Sequence, residues 1–184
     1  MTEAQLKTWI AGFSNSLATG EQAERKLLRI AVDVSTSAAS TPSWEILGGG
    51  IESSDLETNP EVESKQDILG NNRTSVKKFE PAQSLDPYTV EGGSALHDIL
   101  TRLFLLKEKS GFSQFKILVM YGWMKNENGD IYAEIHKNST ITMSKYGGDS
   151  YVDMPIDIKL SNDKTYGTVS DLDDPTFTEA TVTA

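Results

Sequence analysis

The chain has 184 residues, 38% of them hydrophobic and 24% charged, which is enough for one domain with a core of its own and some arms or loops. Lys and Arg number 17 against 27 Asp and Glu, a formal net charge of -10 that repels phosphate and argues against a nucleic-acid reader, though not against a wall that nucleic acid passes without sticking. There is no cysteine, which removes disulfides, thiol catalysis and thiolate metal sites together.

The opening MTEAQLKTWIAG lacks a basic stretch followed by an apolar core, so no secretion signal is expected. No apolar run approaches the roughly 20 residues that span a bilayer. A soluble protein folded in a cytoplasm is the expectation. Thr2 and Gln5 have the spacing of a capping box, and Leu6, Trp9, Ile10 and Phe13 then share one helical face. So short a helix needs a surface to dock on. With the polar residues 14–26 behind it, it reads as an arm that packs elsewhere, a neighbouring copy included.

Strand signals dominate the body of the chain. Leu28, Ile30, Val32 and Val34 alternate with Arg29, Ala31, Asp33 and Ser35, the pattern of a strand with one buried face. Gly48, Gly49 and Gly50 interrupt the next apolar stretch and predict a bulge, a sharp bend or a close backbone approach. Asn59-Pro60 marks a turn, and NRTSVKKFEPAQSL reads as a strand broken at Pro81. One helix is predicted over about 94–109. Ser94 is its N-cap, Leu96, Ile99, Leu100, Leu103 and Phe104 form its stripe, Lys107 and Lys109 suit its negative end, and Gly111 is its stop. FKILVMYGWM, the turn Asn126–Gly129 and DIYAEIHKNSTITMS form a hairpin in which Asn-Gly supplies positive φ. Val152, Met154, Ile156, Ile158 and Leu160 alternate in a further strand, and Asn162-Asp163 turns into KTYGTVS. The tail DLDDPTFTEATVTA is expected to be an acidic surface arm. Strands, one helix, then strands predict a mainly β fold: an antiparallel sandwich or partial barrel with one flanking helix.

The residues that could carry chemistry do not form a set. His97, in the first helical turn, is expected to be solvated or capping. His136, on the strand face of Tyr132 and Glu134, is expected at a surface or interface. Neither supports a nucleophilic triad. The acids Glu52, Asp55, Glu57, Glu61, Glu63 and Asp67 are dense; they are a solvated face or, functionally, a negative wall. Asp171–Asp174 lacks the spaced oxygens of a calcium loop, and Gly48–Gly50 lacks the Lys-Ser/Thr of a phosphate loop. Trp9, Trp44, Trp123 and Tyr121 are assigned to packing before any sugar site. No enzyme activity, cofactor or metal is expected.

WEILGGGI, ETNPEVESKQDILGN, TSVKKFEPAQSLDPY and the amphipathic helix after a Gly/Ser loop together resemble bacteriophage tail tube (major tail) proteins, particularly those of phages of Gram-positive hosts. The resemblance covers about residues 27–170. It implies a tube-type β domain, six copies closing a ring through their inner strands, and rings stacking into a virion tail built in the host cytoplasm. It further implies a channel that holds the tape measure protein and later passes viral DNA without specific binding, and contacts with tail terminator and baseplate proteins but no membrane. On this reading 1–26 is an arm, 27–170 the tube domain and 171–184 a second arm. The stretch of about 48–72, lacking core pattern, is a loop reaching the next ring or subunit through the acids from Glu52 to Asp67, hinged at the three glycines. The alternatives are another tail ring or baseplate hub, and a carbohydrate-binding β-sandwich adhesin.

Overall fold

A computed structural model describes residues 1–35, 41–51 and 53–181. In chain order it contains α1 (Glu3–Ile10), β1 (Ser14–Asn15), β2 (Leu28–Asp33), β3 (Trp44–Ile46), β4 (Leu56–Glu57), β5 (Pro60–Gln66), β6 (Asn72–Phe79) and β7 (Ala82–Leu85). The chain continues with α2 (Ala95–Leu106), β8 (Phe115–Lys125), β9 (Ile131–Met143), β10 (Ile156–Lys159), β11 (Lys164–Val169) and β12 (Phe177–Glu179). The fold is mainly β, as the alternation predicts: an antiparallel sheet curled into a half-barrel.

The sheet runs β3-β2-β8-β9-β10-β7-β4, with β11 and β12 continuing from β9 and β1 on β8. β9 makes the curl. Its first half pairs with β8 and β11 and its second half with β10. Between the halves Asn138 adopts φ 54, a conformation Asn tolerates better than most residues. Strands distant in sheet order therefore face each other across one core. Ile30 and Val32 of β2, Ile117 and Val119 of β8, Ile156 and Ile158 of β10, and Leu96 and Leu100 of α2 are all buried there.

α2 forms where its stripe places it. Ser94 Oγ accepts from the His97 N–H at 3.2 Å. Its own hydroxyl donates to Glu45 Oε1 at 2.5 Å, and the Leu96 N–H donates to Glu45 Oε2 at 3.0 Å. A β3 carboxylate thus sits on the positive end of the helix dipole. The helix ends at Lys107, in the left-handed conformation at φ 56, four residues before the predicted glycine stop.

Three expectations are corrected. β2 is buried on both faces, because Ala31 joins a second core with Leu118, Met120, Ala133 and Val169 on the outer face of the sheet. That core is covered by Trp44, Leu172 and Phe177. The last two belong to the C-terminal segment, which is therefore no free arm: β12 pairs with β11 from Val169↔Phe177 to Gly167↔Glu179. Residues 182–184 lie outside the described ones. Residues 14–26 are likewise more than a linker, since Ser14 and Asn15 pair with Lys125 and Met124 at the end of β8. Gly167 is what lets β12 come close: a Cβ there would strike the Thr178 carbonyl oxygen and the Phe177 ring. Gly167→Ala should cost about 1–3 kcal/mol, read by chemical denaturation, with amide exchange rising at 177–179 ahead of the rest of the sheet.

Candidate interaction site

Part of the stretch expected to be a loop, Pro60–Gln66, is the first strand of a β-hairpin, whose second strand, Asn72–Phe79, falls where NRTSVKKF predicts one. β5 and β6 pair from Pro60↔Phe79 to Gln66↔Asn72, with one bulge between Glu61 and Val62. Val, Thr and cross-strand charges suffice to pair these strands although neither face meets a core. All of β6 is exposed, and of β5 only Glu63 is half-covered. Partners across an antiparallel pair share a face, so Val62, Val76, Ser64 and Thr74 lie on one side and Glu63, Ser75, Lys65 and Arg73 on the other.

The charged side neutralises itself. Lys77 Nζ lies 3.3 Å from Glu63 and 3.9 Å from Glu61, Lys78 lies 3.5 Å from Glu61, and Lys65 lies 3.2 Å from Glu63. Over 60–79 three acids (Glu61, Glu63, Asp67) meet four bases (Lys65, Arg73, Lys77, Lys78), a net of +1. The acidic run is therefore not a uniform negative wall. Such exposed pairs contribute little to stability, but they fix the register of the ladder.

The tip is built to hold apolar groups out. Asp67 Oδ1 accepts from the N–H groups of Leu69 and Asn71, both at 2.9 Å, and Oδ2 accepts from the Asn71 amide at 3.2 Å. The Asn71 contacts hold the Asp67 carboxyl below its ordinary range. Gly70 supplies φ 84. Between these fixed points Ile68 and Leu69 point into solvent, Leu69 with 81% of its surface exposed. With Val62 and Val76, each about half exposed, and Phe79 at the base, they make the hairpin an apolar surface as well as a charged one. The acid count hid this; the signal was the Val62/Val76 pairing and the Asp-Ile-Leu-Gly turn.

The other expected site residues are dispersed. Asp55 precedes β4 and Glu57 ends it, just before the hairpin, and Glu52 lies outside the described residues. Gly48, Gly49 and Gly50 form an exposed turn after β3, not a break inside a strand, with Gly48 at φ 120 and Gly50 at φ 71. Trp9 and Phe13 meet, at 4.8 Å between centroids, on the ring of Tyr132, 5.6 and 5.3 Å away. Leu6 is half-exposed and Ile10 exposed. The arm thus packs on its own subunit. Tyr121 and Trp123 continue the aromatic cluster, and Trp44 is elsewhere, on the outer core.

Both histidines are buried, contrary to expectation. His97 lies against Tyr88, 4.5 Å between centroids, and its Nδ1 accepts from the Glu91 N–H at 3.3 Å. His136 belongs to a buried polar network on β9 and β11. Its Nδ1 is 2.7 Å from the Ser161 carbonyl oxygen and its Nε2 3.3 Å from Glu134. Tyr132 donates to Glu134 Oε1 at 2.7 Å, and Lys164 donates to Oε2 at 2.6 Å. Burial pushes the Glu134 carboxyl up. The His136 hydrogen bond, the Lys164 charge and the Tyr132 hydroxyl more than reverse this and hold it at about 2. Burial and the Glu134 charge push the Tyr132 phenol up, so it stays a donor. Every strong group in this network is committed to another, which leaves no free base beside a nucleophile.

Among the described residues no three His, Asp or Glu side chains converge as metal ligands, and no helix is long and apolar enough to cross a membrane. No family model and no curated protein matches the chain. Among solved structures it is similar to the tube-terminating cap of the anti-feeding prophage, at 14% identity and TM-score 0.46, over 83% of this chain and 95% of that one. It is also similar to the sheath/tube terminator of the extracellular contractile injection system PVC in its extended state, at 12% identity and TM-score 0.45, over 81% and 99%. A third likeness is to a chain of the PVC sheath-tube complex, at 12% identity and TM-score 0.44, over 92% and 99%. Likenesses of this size say what the chain is similar to and carry nothing about what it does.

Proposed function

We propose that this chain is a structural subunit of a bacteriophage tail tube, assembling with copies of itself into stacked six-membered rings around a channel. The observation that carries the reading is the hairpin. A two-stranded ribbon alone in water is marginal. This one has two unpaired edges, an apolar face at Val62 and Val76, and Ile68 and Leu69 on a tip closed by the Asp67 hydrogen bonds. Strand edges and apolar faces of this kind are covered in a working assembly. The sequence resemblance over residues 44–90 selects the tube among possible assemblies.

In this reading the hairpin reaches a neighbouring ring or subunit, and a cyclic head-to-tail contact closes the ring. The tape measure protein and then viral DNA occupy the channel, and terminator and baseplate proteins close its ends. A net charge of -10 per subunit keeps phosphate from sticking on passage. The subunit acts in the virion and has no catalytic role.

Purified protein should form rings or tubes with sixfold class averages in negative-stain electron microscopy. A monodisperse monomer that persists as concentration and ionic strength are raised would overturn the proposal.

A further inference from the structure

The N-terminal segment occupies two surfaces at once. β2 pairs with β8 only as far as Leu28↔Tyr121, so the next residues of β8 lose that neighbour. β1 takes the vacant edge at Met124 and Lys125, and the Ser16 N–H donates to the Trp123 carbonyl at 2.8 Å. Above the same strand ends, Trp9 of α1 and Phe13 just after it lie on Tyr132, whose neighbours are Tyr121 and, through it, Trp123. One segment thus covers a backbone edge and an aromatic face.

Its hold is slight. α1 has eight residues, none of them buried, helices this short do not persist alone in water, and the segment's one buried side chain is Phe13. β1 is two residues long. Ala11, Gly12 and Phe13 join α1 to β1, and residues 17–24 behind β1 carry no helix or strand. The hairpin β5–β6 presents what the covered surface would accept: an unpaired strand edge with valines on one face. Strand addition at an open edge is a general mode of recognition, with backbone bonds giving affinity and side-chain pockets giving choice.

We infer that residues 2–16 are a latch: in the free subunit they occupy the β8 edge and aromatic face, and in the assembly they yield that surface to the hairpin of a second copy. The inference rests on the self-assembly reading and adds the acceptor surface and its guard. A latch that must open lowers the apparent affinity by the fraction of subunits found open. With the open state a minority of about a tenth or less, losing the latch should lower the assembly threshold about tenfold or more.

The test compares the full chain, a chain lacking residues 2–16, and Trp9→Ala, which loosens the latch while keeping β1. Assembly thresholds come from light scattering with electron microscopy, and folding is checked by circular dichroism. Hydrogen exchange is followed in free and assembled full-length protein. Both variants should assemble at lower concentration. In full-length assemblies the amides of 5–15 should exchange faster than in the free subunit, while those of 123–125 stay protected under their new partner. Unchanged or raised thresholds, or undiminished protection at 5–15, overturn the latch while leaving self-assembly standing. If neither the full chain nor the variants assemble at any concentration, the self-assembly reading falls and the latch with it. Should the truncated chain fail to fold, Trp9→Ala and the exchange data decide alone.

Discussion

Replacing Glu61–Lys78 with a two-residue Asn-Gly turn should give a folded subunit that forms no tubes. The Pro60↔Phe79 pair that closes the ribbon would be kept, and a tight hairpin turn of this type suits antiparallel strands at that spacing. No core residue is lost. The inner core draws on β2, β7, β8, β9, β10 and α2, and the outer core on β2, β8, β9, β11 and the C-terminal segment. The ion pairs removed are exposed, worth about 0–1 kcal/mol each. The melting temperature should therefore move by only a few degrees, on the scale of about 1 kcal/mol for a domain of this size. Assembly should disappear altogether, because the hairpin supplies the projecting apolar surface. Finer substitutions separate its parts. Ile68→Ser with Leu69→Ser should abolish stacking if the tip makes the contact, whereas Val62→Thr with Val76→Thr should do so if the face does. Electron microscopy and sedimentation read both, and normal tubes from the shortened chain would make the hairpin a bystander.

How much of this was legible in the sequence depended on whether the signal was local. α2 was legible because five apolar residues at helical spacing follow a Ser N-cap, and both facts lie within eleven residues. The β8–β9 hairpin was legible because Asn126–Gly129 demands a turn and apolar strands flank it; Gly129 indeed has φ 87. The burial of Ala31 was not, since its cover, Leu172 and Phe177, arrives some 140 residues later from a tail whose composition reads as solvent-exposed. The second hairpin strand was read as a strand broken at Pro81, as β6 and β7 are, but its partner β5 escaped for the opposite reason. Pattern methods find strands by their core face, and β5–β6 has none within the subunit; its regularity is in cross-strand charge pairs and one valine pair. The dense acids were counted without the bases that neutralise them, Lys65 beside them and Lys77 and Lys78 on the returning strand. Glu45 gave no sign of its place at the α2 N-terminus, since β3 and α2 are joined only in three dimensions. His136 was placed on the Tyr132 and Glu134 face of its strand, but Lys164 and Ser161, which make its burial tolerable, belong to another turn of the chain.

The polar network around Glu134 carries the largest expected stability effect. Glu134→Ala would leave Lys164, His136 and the Tyr132 hydroxyl facing a void where a carboxylate had satisfied all three. Breaking a buried pair by removing one partner costs about 3–5 kcal/mol, and the partial exposure of Lys164 puts this case toward the lower end. Glu134→Gln keeps the shape and one acceptor and should lose less. The two also differ in acid. In the native protein Glu134 titrates at about 2 against an ordinary value of 4.5, so between these values the unfolded chain binds more protons than the folded one. Stability from this group is therefore fully present above about pH 4.5 and is lost as pH falls toward 2, a swing of about 3 kcal/mol. Urea titrations from pH 7 to pH 2 should show this fall in the parent protein and a flatter curve in Glu134→Gln, with the two converging at the acid end. Parallel curves displaced by a constant amount would mean that Glu134 stabilises through its shape and neutral hydrogen bonds and that its charge is spent against its own burial.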